Sequence, residues 1–391
     1  MPHVYGLDRT GLDLANQAAA LARDVLAPHA AASDRDGRFP EESMRAIASK
    51  RLLGLCVDAA HGGLGQGPRA YAAVVEELAF ACASTAMITV MHVSAAQAIA
   101  ASKTLAESEK KGVLRDVASG KHLSTLAFSE KGSRSQFWAP VSTLREAGDG
   151  FVASAEKSWV TSASHADSYV ASSRRAGGES PLESTLYLVR RGDPGVRTEG
   201  SFDGLGLRGN ESAPVKFEST PVARGRLLTE PGGGADAMMQ IVLPWFVIGS
   251  AAMANGLCRA AVAATAGHLT DTTFQHDGSR LRDLPQLRSR LAEMSVRTDQ
   301  SRALLGFTLG EVESPGPMTP LHVLEARLAA LEAADSVTDL GMKACGGAAF
   351  SKRLPIERLF RDARAGWVMA PTTEHLRDFV GKALTGLPLF S

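Results

Sequence analysis

A side chain that moves a proton near neutral pH is most often a histidine, and among the ten in this chain His92 and His375 are the candidates for general acid–base work. His92 sits in the Ala- and Val-rich run 87–101, an environment that would hold its ring buried and neutral. His375 closes a Thr372-Thr-Glu-His375 run whose residue types also suit the capping of a helix start. The four cysteines, Cys56, Cys82, Cys258 and Cys345, are scattered with no CxxC pair, which predicts free thiols and neither a zinc site nor a disulfide framework. The glycines of His61-Gly-Gly-Leu-Gly-Gln-Gly67 do not have the spacing of a phosphate-cradling loop after a strand, and the segment reads as a turn.

The 391 residues are enough for several layers around a well-buried core. Apolar content of 45% and charged content of 21% belong to an ordinary soluble globular chain. Lys plus Arg equals Asp plus Glu at 42 each, so no global field favours nucleic acid or an anionic membrane. The first residues carry no basic leader before an apolar core, and the apolar stretches elsewhere read as interrupted or too short to span a bilayer; a cytoplasmic protein is expected.

Helical periodicity marks runs at 12–26, 41–52, 70–80 and 87–101, with Arg38-Phe-Pro-Glu-Glu42 opening one of them. From 122 to about 229 the period changes to two, with strands predicted at 123–128, 141–146, 151–158, 169–173, 184–189 and 213–218. Long helical runs return at 238–269, 286–312, 320–345 and 373–384. Helices, then strands, then helices, without βαβ alternation, predict an α+β protein and not a doubly wound nucleotide fold. The expected domains are an N-terminal helical domain (1–120), a middle antiparallel β-barrel (121–232) and a C-terminal four-helix bundle (233–391).

Three stretches are more specific: Lys343-Ala-Cys-Gly-Gly-Ala-Ala-Phe350, Leu354-Pro-Ile-Glu-Arg-Leu-Phe-Arg-Asp-Ala-Arg364 and Val368-Met-Ala-Pro-Thr-Thr-Glu-His-Leu376. They resemble the C-terminal signature of acyl-CoA dehydrogenases, QxxGGxG, PxERxxRDAR and a short EGT loop whose Glu takes the α proton of an acyl thioester. Leu126-Ala-Phe-Ser-Glu-Lys-Gly-Ser-Arg-Ser135 resembles the family's TEPxAGS loop, and Gly150-Phe-Val-Ala-Ser-Ala-Glu-Lys-Ser-Trp-Val-Thr-Ser162 its GxxLNGxKxWITN hairpin. The resemblance runs over nearly the whole chain and implies the family's fold, FAD as cofactor, and a homodimer or homotetramer.

Carried over by position, Phe128, Ser129, Ser135, Trp159, Thr161 and Ser162 would line the isoalloxazine and the thioester carbonyl. Gly346, Gly347 and Lys343 would meet the nucleotide end, with Lys343 in place of the family Gln and Phe274 in place of an Arg. Glu130 matches a loop Glu that is ordinarily structural. The departure is at the base. Ala370 and Pro371 stand where Glu and Gly belong, and a methyl group accepts no proton. At the alternative base position of the family, on the long helix after the middle domain, the chain has Phe246, with Val247 at the neighbouring Arg position.

Three functions follow as expectations. The first is an FAD-dependent oxidation of the Cα–Cβ bond of an acyl thioester, on CoA or a carrier protein, with a displaced base or an activated substrate and with an electron-transfer flavoprotein as partner. The second is a flavin monooxygenase hydroxylating N or S with reduced flavin from a flavin reductase. The third is a non-catalytic flavin-binding homologue.

Overall fold

Polar caps and apolar stripes set the helical regions of the computed structural model, which describes residues 3–180 and 182–389. Asp8 accepts from the Gly11 amide at 2.7 Å and starts α1 (Arg9–Leu21), which continues through a π turn (Ala22–Leu26) into α2 (Ala27–Asp36) and stops at left-handed Gly37. Glu41 and Glu42 occupy the first turn of α3 (Glu41–Ser49), as their favourable interaction with a helix N-terminus predicts. α4 (Pro68–Ala81) and α5 (Ala83–Ala101) are buried on nearly every side, and α6 (Glu107–Ala118) leads to the sheet.

The seven strands are β1 (Ser124–Ala127), β2 (Thr143–Ala147), β3 (Gly150–Val160), β4 (Ser168–Arg175), β5 (Ser184–Arg190), β6 (Val196–Thr198) and β7 (Ala213–Val222). They form one sheet in the order β1-β4-β2-β3-β7-β6, with β5 on β4. Most pairs are antiparallel, as expected for the middle region, but β1 and β2 each run parallel to β4. Parallel neighbours need long connections, and the loop 128–142 together with β3 supplies the chain length.

The sheet has two unlike faces. Tyr169, Tyr187, Phe151 and Phe217 pack a core of its own, while Leu126, Phe128, Val170 and Leu188 join the helical core around α5. In the C-terminal region a short α7 (Gly234–Ala237) and a π turn (Met238–Val242) precede α8 (Leu243–Asp271), α9 (Pro285–Glu313) and α10 (Thr319–Phe350). These three long helices pack on one another, α8 also packs on α4, and α12 (Thr373–Thr385) packs on α10 after α11 (Ile356–Ala363). One continuous core therefore joins both helical regions and fixes the rim of the sheet.

Two helical stretches, Ala83–Ala101 and Gly234–Asp271, are in fact long and apolar enough to cross a bilayer, correcting the reading that all such runs are too short. They are 83% and 78% buried within the fold, which makes them core helices here. α10 bends at Gly346, whose φ of 53° and ψ of −132° only glycine adopts without strain.

Candidate active site

The seam between α5, the sheet rim, the start of α8 and the α11–α12 connection encloses a cavity of about 1020 Å³. Its polar side is made by two segments that the backbone ties together. Ser158 donates its amide to the Ser129 carbonyl at 2.9 Å, and Glu130 pairs with Lys157 in an antiparallel bridge. The Glu130 carboxylate accepts from the Val141 and Ser142 amides, each at 2.7 Å, and from the Lys157 ammonium at 2.5 Å. Burial alone would raise its pKa, but the ammonium and the converging donors hold Glu130 below its usual value. The Lys157–Glu130 pair thus closes the 130–142 loop onto β3.

A second chain of contacts runs behind the same wall. Thr161 Oγ1 lies 3.2 Å from Ser212 Oγ, which donates to Asn210 Oδ1 at 3.0 Å, and the Ser162 amide donates to the Asn210 carbonyl at 2.9 Å. Backbone strain concentrates here: Arg134, Ser135, Trp159, Ser162 and Leu207 all have positive φ, from 47° to 69°. Such conformations cost about 1–3 kcal/mol each and persist where the surroundings over-determine them. Gly206 allows the 204–207 loop to reach α11, because a Cβ there would lie 2.3 Å from the Arg361 carbonyl oxygen.

The other side of the cavity is apolar, with Met87 and Met91 from α5, Val242, Leu243 and Phe246 around the start of α8, and Met369 and Ala370 after α11. The carboxylates that line the cavity, Glu130, Glu156 and Glu199, are each paired with a lysine, Lys157 or Lys216. The peptide between Ala370 and Pro371 is cis.

Of the residues singled out in the sequence, Phe128, Ser129, Ser135, Trp159, Thr161, Phe246 and Ala370 line this one cavity. Trp159 is 68% exposed, so its indole offers an uncovered ring on the wall. Ser162 lies just behind, its Oγ buried and without a partner. Lys343, Gly346 and Gly347 are not brought to the cavity within this chain: Lys343 pairs with Asp339 at 2.6 Å on an exposed face of α10. Phe274 sits on the loop after α8, its ring edge-on to His276.

The structure places both candidate histidines off the cavity wall. His92 is fully buried, with Nε2 3.1 Å from the Leu53 carbonyl and Nδ1 accepting from the Ser124 amide at 3.0 Å. Burial pushes its pKa down to about 4, and both ring nitrogens are already used to join α5 to β1. His375 lies one layer behind the wall, stacked on Phe379 and edge-on to Trp138, while its amide donates to the capping Thr372 hydroxyl. Neither ring lines the cavity.

Sequence reasoning missed Met87, Met91, Phe137, Asn210, Ser212 and Met369 as wall residues. Asn210 and Ser212 carried a signal, since they follow a Gly-rich turn at the exit of the strand region; the methionines looked like ordinary core.

Comparison with known proteins bears on the same three regions. Models of the acyl-CoA dehydrogenase N-terminal, middle and C-terminal domains match residues 10–121, 125–220 and 232–385. The chain belongs to the acyl-CoA dehydrogenase family. It is 30% identical over 356 residues to the mitochondrial short-chain specific acyl-CoA dehydrogenase of Bos taurus, covering 90% of this chain and 84% of that protein. It is 26% identical over 369 residues to the probable acyl-CoA dehydrogenase YngJ of Bacillus subtilis, covering 93% of this chain and 94% of that one. The structure of butyryl-CoA dehydrogenase from Megasphaera elsdenii superimposes with a TM-score of 0.91 at 23% identity, covering 97% and 99% of the two chains. The protein is an acyl-CoA dehydrogenase-like flavoenzyme with FAD as its cofactor, and its chemistry is flavin-dependent oxidation of acyl thioesters.

Proposed function

We propose that this family member oxidises the Cα–Cβ bond of an acyl thioester whose α proton is already acidic, so that no side-chain carboxylate is needed to remove it. The observation that carries this reading is the apolar end of the cavity, where Phe246 and Ala370 occupy both positions at which the family resemblance expects a base. The acidic residues on the cavity wall are tied to lysines.

The residues present fit a flavin. The exposed Trp159 indole offers a face for a ring, and Phe128, Ser129, Ser135 and Thr161 place an aromatic wall and small hydroxyls along one edge. The unpartnered Ser162 hydroxyl lies at the same edge. Bound FAD supplies a hydride acceptor. The protein's part is to hold the thioester against that acceptor, with Met87, Met91 and Phe246 excluding water around the acyl chain. The α proton passes to solvent water at the mouth of the cavity, which requires that a second carbonyl, carried on a branch at Cα so that Cβ keeps its hydrogen, stabilise the carbanion. Lys343, Gly346 and Gly347, remote from the cavity of their own chain, suit contact with the nucleotide end of FAD in a neighbouring copy, which favours a homo-oligomer.

Anaerobic titration of the flavin-loaded protein with short, branched and long acyl-CoA esters, and with esters that carry a second carbonyl on a branch at Cα while Cβ keeps its hydrogens, tests the reading. Bleaching of the visible flavin absorption by an ester with an activated α position is the expected result. Oxygen consumption with reduced flavin, and no bleaching by any ester, would move the assignment to the monooxygenase reading, for which the same base-free cavity is suited.

A further inference from the structure

Arg327, in the middle of α10, is the largest side chain in the molecule with essentially no exposure. A guanidinium has five N–H donors and stays cationic in proteins. Burial pulls its pKa down to about 9, which still leaves it charged at neutral pH. Each arginine or lysine of the cavity wall that is at least half buried has a carboxylate partner: Lys157 has Glu130, Lys216 has Glu156, Arg361 has Asp34 and Arg364 has Asp335. Arg327 has none among the described residues. Nη2 donates to the Met369 carbonyl at 3.1 Å, and the guanidinium carbon stands 4.7 Å from the centroid of the Phe246 ring. Nε and Nη1 are buried with no acceptor among the described residues.

The two groups that hold Arg327, Phe246 and Met369, are themselves walls of the cavity's apolar end. A buried charge without a counter-ion costs several kcal/mol, and polar atoms left unpaired in a native structure call for a reason. A fork of two free N–H donors matches a carboxylate better than any other common group.

We propose that Arg327 is the receptor for a carboxylate at the far end of the acyl group, so that the substrate is an α-activated thioester that also carries a terminal carboxylate. Rotation of the Phe246 ring uncovers Nε and Nη1, and the substrate carboxylate takes the place the ring held over the guanidinium. The cavity's own carboxylates are neutralised by their lysines and offer the anion no repulsion. Phe246 thereby acts as a selective cover: a neutral acyl chain leaves it in place, and an anionic one displaces it. This specificity rests on the thioester reading of the cavity, and the two separate experimentally.

Equilibrium binding to the flavin-loaded protein, measured by calorimetry, compares succinyl-, glutaryl- and adipyl-CoA with butyryl-, pentanoyl- and hexanoyl-CoA. At least one dicarboxylic ester is expected to bind about 10-fold or more tightly than its neutral partner of equal chain length. Arg327→Met should bring that ratio to about one, Arg327→Lys should keep part of it as a point charge, and Phe246→Ala should increase it. Ratios near one for all three pairs in the wild-type protein would overturn the proposal while leaving thioester binding intact. They would do so even if Arg327→Met failed to fold. Absence of binding by all six esters would overturn the proposal together with the thioester reading beneath it.

Discussion

Lys157 in β3, on the cavity wall, and Arg327 in α10, behind the wall residues Phe246 and Met369, are cations buried to the same degree, and the fold treats them in opposite ways. Lys157 has a carboxylate at 2.5 Å and a backbone carbonyl as acceptors, and the pair it forms closes a loop over the polar edge. Arg327 has a carbonyl and an aromatic face, and two of its nitrogens are unanswered. The buried charge at the polar edge is therefore answered within the chain, while the one behind the apolar end is answered only when something else enters. Completion at one end and vacancy of charge at the other separate residues that hold a cofactor site in shape from residues that select what is brought to it.

The largest effect expected from breaking this contrast is at the complete end. Glu130→Ala leaves Lys157 buried without a counter-ion and frees the 130–142 loop, at a cost of about 3–5 kcal/mol in urea unfolding of the flavin-loaded protein, with faster flavin loss. Adding a carboxylate at the other end comes next. Ala370→Glu sets an acceptor beside Met369 and Arg327, and should raise the rate of flavin reduction by butyryl-CoA by about 10²-fold or more, since a positioned base contributes about that factor.

His92 shows a third treatment of a buried titratable group, neutralisation. Burial depresses its folded pKa to about 4, below the ordinary histidine value of 6.5. Between those values the unfolded chain binds the extra proton, so stability is full above about pH 6.5 and falls as pH drops toward 4. Moving from pH 7 to pH 5 should cost about 2 kcal/mol from this group, and His92→Gln should flatten that slope in denaturant melts. The smallest effect is expected at Arg327 itself. Arg327→Met removes a buried charge that has no counter-ion and should stabilise the substrate-free protein by about 1 kcal/mol, opposite in sign to Glu130→Ala.

Much of the fold was legible in the sequence because it rests on periodicity. The strand runs between 122 and 229 and the four long C-terminal runs fall on observed elements, and Phe128, Ser129, Trp159 and Thr161, grouped by the family resemblance, meet at one wall because the segment after β1 bridges β3 at Glu130 and Lys157. What escaped depends on distance along the chain. Glu130 and Lys157 meet across 27 residues, and nothing in the Glu325-Ala-Arg327-Leu run shows that the arginine faces inward. Lys343 was grouped with the same site, yet α10 carries it 16 residues beyond Arg327, about 24 Å along a helix axis. His92 and His375 were chosen by residue type, and only their surroundings reveal that backbone groups take both ring nitrogens of His92 and that the His375 ring packs against Trp138 and Phe379 off the cavity wall.

The claim at the centre is that this cavity has no base of its own for an unactivated thioester. It is tested most directly by incubating the flavin-loaded wild-type protein with butyryl-CoA in D2O, without oxygen, and following the α-proton NMR signal. Deuterium uptake no faster than in buffer is the expected result, with uptake appearing in Ala370→Glu. Rapid uptake catalysed by the wild-type protein would contradict it and would mean that another group in the cavity removes the proton.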